Sequence, residues 1–226
     1  MPSSIRLAPA AGLFTGAALV AVLGLPGGAP AALRLPRVID VAERPAFIRP
    51  PGRLEQQANT GQVLPSRTEL RTQRPGRMQV QLADGRSFRL GGDALLRLDP
   101  GGPALKRGQI IAWIDPDATR LLPLKVRTRV GTASIQGTTV FIEDLPRDVL
   151  FLSWEGTVQV EANDGRRFTL NSGEILTATA AGTWVGPRRL SIDEVRLRRR
   201  TSVLLNGFSA PMATLPVIER ELGLDR

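Results

Sequence analysis

One stretch of this sequence occurs twice, and the repetition constrains the fold more than any other feature. The run Val80-Gln-Leu-Ala-Asp-Gly-Arg-Ser-Phe88 returns 80 residues later as Val160-Glu-Ala-Asn-Asp-Gly-Arg-Arg-Phe168. Asp84/Asp164, Gly85/Gly165, Arg86/Arg166, Phe88/Phe168 and Leu90/Leu170 stay in register. Asp-Gly between alternating apolar residues is a hairpin signal, because glycine reaches positive φ freely and aspartate tolerates it. Two hairpins of one pattern predict a repetitive all-β body, since a lone hairpin cannot bury its apolar face.

Composition limits the chemistry. Histidine, cysteine and tyrosine are absent, which removes the commonest general base, the usual zinc ligands, the thiol nucleophile and the phenol acid. Without disulfides the fold rests on its core alone. A chain of 226 residues is long enough for one, and the expectation is a protein that is not an enzyme and has no cofactor and no metal.

The N-terminus predicts export. Arg6 precedes an apolar run from Ala10 to Leu25, and Ala29-Pro30-Ala31 presents small residues where a signal peptidase reads. Residues 1–31 therefore read as a signal peptide cleaved after Ala31. The alternative is an uncleaved anchor, although the run is shorter than the roughly 20 residues that span a bilayer. The expected location is periplasmic or secreted.

Charge suggests partners. The net charge is +9, and residues 1–31 contribute only Arg6. A basic exported domain attracts an acidic envelope protein, an anionic glycan or a phosphate-bearing lipid surface. Nucleic acid is not expected, because three Trp, seven Phe and no Tyr offer few stacking platforms.

Residues 32–60, with Pro36, Pro45, Pro50 and Pro51, read as a Pro-rich extended linker with one strand near Arg37 to Val41. Order is expected from Gly61. From there to residue 180, short β segments alternate with Pro-Gly, Asp-Gly and Gly-Gly turns in two related units. Gln109 to Ile114 reads as a buried strand. The fold class is all-β: a repetitive β-solenoid-like or sandwich body of short strands with a C-terminal helix.

Residues 181–226 form the C-terminal helical extension. Ser191 with Glu194 is a capping-box pattern, and Leu197, Thr201, Leu204, Leu205 and Phe208 recur at helical spacing. A helix is predicted over Ile192 to Leu205, with Asn206-Gly207 as its stop, and a second near Val217 to Leu222. Arg188, Arg189, Arg196, Arg198, Arg199 and Arg200 are the densest charge cluster. Arg188, Arg189, Arg196, Arg199 and Arg200 are the candidate anion or partner contacts, the last three expected on one helix face. The competing reading is a solvated face whose arginine stems shield the sheet.

The second unit resembles a known family. Val126-Arg-Thr-Arg-Val-Gly131, Gly137-Thr138-Thr-Val-Phe141, Asp148 to Trp154 leading into Gly156-Thr-Val-Gln-Val160, and Leu170-Asn-Ser-Gly173-Glu174 are similar to the FecR domain. Leu70-Arg-Thr72 through Asp84-Gly85 to Leu98 resembles its first segment, so the likeness runs from about Gly61 to Ala178. Arg129 stands where the family usually has proline. The resemblance implies an extracytoplasmic all-β module. In full-length regulators of that family it implies sensing of an outer-membrane iron-siderophore receptor and relay to a cytoplasmic sigma-binding segment. Only about six residues precede the apolar run here, too few for such a segment. What carries over is location, fold and a non-catalytic interaction role, in envelope signalling or scaffolding.

Other motifs read as structure. Gly137-Thr138 lacks the lysine of a phosphate loop. Asp115 with Asp117, and Glu143 with Asp144, are adjacent in sequence, which says nothing about the spacing that glycoside chemistry requires. No ladder of alternate acidic ligands for calcium follows them. Trp113, Trp154 and Trp184 are expected as core anchors; exposed, they would favour a cell-wall or polysaccharide-binding module instead.

Overall fold

The computed structural model describes residues 35–115 and 122–224. The expected signal peptide, its cleavage point and Asp117 lie outside the described residues. In chain order the strands are β1 (Arg37–Glu43), β2 (Ala46–Arg49), β3 (Gln56–Gln57), β4 (Glu69–Thr72), β5 (Arg77–Gln81), β6 (Ser87–Asp99), β7 (Gly102–Trp113), β8 (Leu124–Arg127), β9 (Gly131–Ile135), β10 (Thr139–Asp144), β11 (Asp148–Glu155), β12 (Val158–Ala162), β13 (Arg167–Leu170), β14 (Glu174–Thr179) and β15 (Trp184–Arg189). Two helices follow, α1 (Ile192–Thr201) and α2 (Leu215–Glu221). The all-β expectation is met.

Strand pairing makes two layers joined through one bent hairpin. Residues 87–91 of β6 pair with 109–113 of β7, and residues 95–99 pair with 102–107. Between them β6 bulges by Gly92, Asp93 and Ala94 against Gly108 alone. A Cβ on Gly108 would lie 2.4 Å from the Ala94 Cα, and its φ is +86°, so only glycine lets the backbones approach at the bend. The first halves lie in a layer ordered β1-β5-β6-β7-β10-β11-β14-β15. The second halves lie in a layer ordered β3-β2-β4-β6-β7-β8-β9-β12-β13. All pairings are antiparallel except a single parallel bridge between Ala104 and Arg127, which fits a sandwich better than a solenoid of parallel turns.

Inward alternation fills the space between the layers. Val38, Val80, Phe88, Ile110, Val140 and Phe151 from the first layer join Ile48, Leu70, Leu96, Val126, Ile135 and Val160 from the second in one buried cluster. The second layer's other face is polar, as β9 and β12 show with Thr132, Ser134, Gln159 and Glu161. Along β7 and β11 the first layer is apolar on both faces. Ile111, Trp113, Leu152, Trp154 and Ile175 point away from the sandwich and are covered by Leu190, Val195, Leu204, Leu205, Met212, Ile218 and Leu222. That double burial explains the unbroken apolar runs of β7 and β11.

The internal repeat is structural. Val38↔Val80↔Phe88 across β1-β5-β6 matches Ala133↔Val160↔Phe168 across β9-β12-β13. Likewise Ile48↔Leu70↔Leu96 matches Ile142↔Phe151↔Leu176 across β10-β11-β14. The two copies exchange layers: β1-β5-β6 stands under the helices, and its counterpart β9-β12-β13 stands in the polar layer.

Both Asp-Gly turns have one geometry. Gly85 N–H donates to Leu82 O and Gly165 N–H to Ala162 O, with φ of +94° and +88°. Only the glycines are at positive φ; each aspartate instead accepts the amide two residues on, Arg86 at 3.2 Å and Arg166 at 3.1 Å. The turns are therefore three-residue loops ending in a left-handed glycine. Gly165→Ala is expected to cost about 1 to 2 kcal/mol, the penalty of that conformation for a residue with a Cβ. Urea unfolding measures it, and an unchanged midpoint would contradict the assignment.

Two expectations are corrected. The strand expected near Arg37 to Val41 is present as β1, but the stretch that follows is not all linker, because β2 buries Ala46 and Ile48; the prolines bound the strands without interrupting their inward positions. The first helix ends at Thr201, short of Leu205. Leu204 and Leu205 are buried and Phe208 packs against the same cluster, but from irregular chain, while Leu197 is 52% exposed. The helical stripe of five was thus a mixture of one solvent-facing residue, the last helical residue and three residues beyond it.

Candidate interaction surface

The five candidate arginines lie on β15 and α1, but they do not act alike. β15 is an edge strand paired only with β14. Arg188 donates to both oxygens of Glu194, at 3.2 and 2.8 Å. Glu194 also accepts from the Ser191 amide at 2.8 Å, and Ser191 Oγ accepts the Glu194 amide at 3.2 Å, which is the expected capping box. These donors, Arg188 first, pull the Glu194 carboxyl down to about 2. Arg188 is thus spent on fixing β15 to the start of α1.

Arg199 is spent as well. Its Nε and Nη2 donate to Glu219 at 3.0 and 2.6 Å, and Nη1 donates to Asn206 Oδ1 at 2.6 Å, clasping α1 to α2. At about 100° per residue, Arg199 lies beside the buried Val195, whereas Arg196 and Arg200 point outward. The structure therefore separates Arg199 from the face assigned to it. Arg189, Arg196 and Arg200 remain exposed; Arg196 meets Asp193 only at 3.9 Å. Beside them Val185, Ile192 and Leu197 are exposed apolar residues. An edge strand and a helix face carrying arginines around exposed aliphatics make a surface of the kind protein partners use.

The C-terminal segment behind that surface is held by buried polar groups that sequence reading passed over. Arg89, on β6, is 2% exposed. It donates to Gln79 Oε1 at 2.8 Å, Leu204 O at 2.9 Å and Ala210 O at 2.8 Å. Its guanidinium stands 4.2 Å from the Phe208 ring centroid. Burial lowers it to about 10, partly offset by Asp40, so it stays charged at neutral pH. Asp40 Oδ2 accepts the amides of Ser209 and Ala210 at 2.7 and 3.0 Å.

A second buried group sits at the far end of the segment. Glu155 is 4% exposed and accepts from Thr139 Oγ1 at 2.8 Å; Thr139 in turn meets Thr214 Oγ1 at 2.8 Å. Burial, with Glu221 nearby, pushes the Glu155 carboxyl up to about 7. Glu221 accepts from the Gly156 amide at 3.0 Å and from Ser172 Oγ.

The remaining sequence candidates are dispersed. Glu143 accepts from Gln109 at 2.7 Å, while Asp144 points to the opposite face of β10 and pairs with Arg129 at 2.8 Å. Asp115 accepts the Trp113 indole N–H at 3.0 Å. Trp113 and Trp154 are 2% exposed. Trp184 stacks on Phe168 at 4.9 Å and on Phe151 at 6.0 Å, plugging the sandwich between the β13 and β15 edges. The tryptophans form no exposed sugar platform. Among the described residues no cluster of three metal-ligating side chains is present, and no helix is long and apolar enough to cross a membrane.

Within this two-layer β body with its helical cover, residues 68–159 match the family described as FecR protein. The match begins just ahead of β4 and ends inside β12, narrower than the likeness read from sequence. Two crystal structures of a "putative anti-sigma factor" from Parabacteroides distasonis ATCC 8503 are similar at 16% and 17% identity. Their TM-scores are 0.47 and 0.44, with 57% and 54% of this chain covered. The chain spans under two thirds of their length, 64% and 60%. No curated protein matches.

Proposed function

We propose that this chain is a non-enzymatic, extracytoplasmic FecR-domain protein that acts in envelope signalling or scaffolding by binding another protein. The observation that carries the reading is the FecR match over 68–159, the core of a body whose conspicuous buried charges are committed to holding its own C-terminal segment. The N-terminal sequence pattern supports export, and the β15 and α1 face supplies the contact surface. Arg189, Arg196 and Arg200 are the contacts we assign to an acidic partner; Arg188 and Arg199 position the elements that present them.

Crosslinking a C-terminally tagged chain in cells, followed by identification of what co-purifies, tests the proposal. A discrete envelope protein is the expected result, with recovery reduced about tenfold by the triple change Arg189→Gln, Arg196→Gln and Arg200→Gln, the scale on which rim charges alter association. Recovery only with wall polysaccharide would replace it with a glycan-binding role. Undiminished capture by the triple variant would remove the arginine surface from the account.

A further inference from the structure

Beside the bend of the β6–β7 hairpin lies a hollow of about 440 Å³ into which two bulges crowd positive charge. Past Gly108, Leu95 pairs with Arg107 and Leu96 with Leu105, so Lys106 is an extra residue on β7. Leu96 and Leu105 are buried, and alternation from Leu105 points Lys106 outward. Arg107, opposite the half-buried Leu95, points the same way. The bulge thus re-aims two consecutive side chains to one face, and both cations are exposed. Arg74 and Asp93 bound the hollow beside them, and Arg129 and Asp144 bound it on the β10 side.

These groups are held in place without being used up. Asp93, in the first bulge, has a φ of +61°, one of two non-glycine residues at positive φ among the described residues. From that conformation its carbonyl accepts Arg107 Nε at 3.3 Å, and its carboxylate lies 3.2 Å from Arg74 Nε. The same carboxylate accepts the Arg74 amide at 2.8 Å. One residue therefore draws two guanidiniums together, each engaged at Nε with its Nη groups unbonded. Asp144 accepts from Arg129 Nε at 2.8 Å. The two carboxylates of the hollow are thus committed to Arg74 and Arg129, whereas no ion pair among the described residues involves Lys106 or Arg107. Two uncommitted positive charges stand side by side.

We propose that this hollow binds a phosphomonoester carried on a sugar or lipid headgroup. Near neutral pH such a group bears a charge of about −1.5 to −2, which matches the two uncommitted cations better than a singly charged diester or carboxylate does. The free Nη groups of Arg107 and Arg74 suit adjacent phosphate oxygens, and Lys106 adds a mobile point charge. The volume falls within the roughly 300 to 1,000 Å³ of small-molecule sites. It leaves space for the carrying group against Leu145, which is 41% exposed at the rim. None of these residues belongs to β15 or α1, so the site is independent of the surface assigned to the protein partner.

Isothermal titration of the purified chain with glucose 6-phosphate tests the proposal, at about 0.1 M salt, where charges more than about 10 Å away are screened. The expected result is saturable binding. The corresponding methyl diester should need at least about tenfold higher concentration, the scale of one hydrogen bond to a charged group. Lys106→Gln combined with Arg107→Gln should weaken binding by at least the same factor. The triple change Arg189→Gln, Arg196→Gln and Arg200→Gln, which removes more charge elsewhere, should leave it unchanged. If the urea midpoint of the double variant falls, Lys106→Gln alone is read in its place, since its amine bonds to nothing in the fold. Phosphatidylcholine vesicles containing phosphatidic acid separate the two sources of the ligand. Sedimentation with them, competed by glucose 6-phosphate, identifies a lipid headgroup; glucose 6-phosphate binding without sedimentation identifies a free phosphorylated sugar. No saturable binding of glucose 6-phosphate, no preference over the diester, a double variant that binds like the parent, or equal loss in the triple variant overturns the proposal.

Discussion

Replacing Arg89 by alanine is expected to cost the folded state about 3 to 5 kcal/mol, the scale on which removing one partner of a buried charged network destabilises proteins. The expectation follows from what is left behind. Leu204 O, Ala210 O and Gln79 Oε1 lose their donor in one step, at a site where the side chain is 2% exposed. Asp40 loses the nearby cation, and the Phe208 ring loses the guanidinium over its face. Because every lost acceptor except Gln79 belongs to residues 204–210, the damage should begin there. Urea unfolding measures the loss, and limited trypsin digestion locates it: cleavage after Arg198, Arg199 and Arg200 should accelerate before the β body is attacked. Arg89→Lys keeps a charge but not the three-way fork, so it should recover only part of the loss. An alanine variant within about 1 kcal/mol of the parent would show that the segment is held by its apolar contacts alone, since even one hydrogen bond to a charged group ordinarily contributes about 1.5 to 3 kcal/mol.

Arg89 also marks where sequence reading stops. The Asp84-Gly85 and Asp164-Gly165 hairpins were legible because their signal is local: a turn pair and the alternation of the flanking strands. The same alternation that placed Phe88 and Leu90 in the core placed Arg89 and Gln79 on the other face, where polar residues ordinarily meet water. What buries them is chain more than 100 residues distant, bonded to Arg89 as residues 204–210. Nothing near Arg89 announces that cover. The repeat was visible only in part for a related reason. Leu70 corresponds to Phe151 and Ile48 to Ile142, at spacings that differ from that of the hairpins, so the first two strands of each copy drift out of a fixed period. In the first copy the strand near Arg37 to Val41 is legible as β1, but β2 falls in the stretch that reads as linker. The arginine cluster was found by density, but density does not show which cations are already paired. Glu219, the partner of Arg199, and Asn206 arrive through the tertiary fold. The exposed trio Arg189, Arg196 and Arg200 follows only once Val195 is known to be the buried point of α1.

Glu155 gives the protein a stability that depends on pH in the direction opposite to most carboxylates. Burial and Glu221 raise its folded-state value to about 7, against an ordinary 4.5, so the folded state holds the proton more tightly than the unfolded one. The stabilisation is complete below about pH 4.5 and is lost as the pH rises through 7. The 2.5-unit separation sets a ceiling of about 3 kcal/mol on this loss, at 1.36 kcal/mol per unit. The physical event is the ionisation of a carboxyl that accepts one hydroxyl from Thr139 and faces Glu221 across the junction with α2. Neither Thr139 nor Thr214 carries a charge to compensate. Glu155→Gln keeps the size and the acceptor for Thr139 but cannot ionise. Its unfolding free energy should therefore vary less between pH 5 and pH 8 than that of the parent, and at pH 8 it should be the more stable of the two by about 2 kcal/mol, somewhat under the linkage ceiling. Glu221→Gln should move the same way by a smaller amount, since Glu221 is the lesser cause of the shift, while its amide oxygen still accepts from Gly156 and Ser172. Urea titrations at half-unit intervals across that range decide it. Parallel pH profiles for the parent and Glu155→Gln would mean that the carboxyl is ionised at an ordinary pH, and that the junction between β11 and α2 opens to water more than its burial implies.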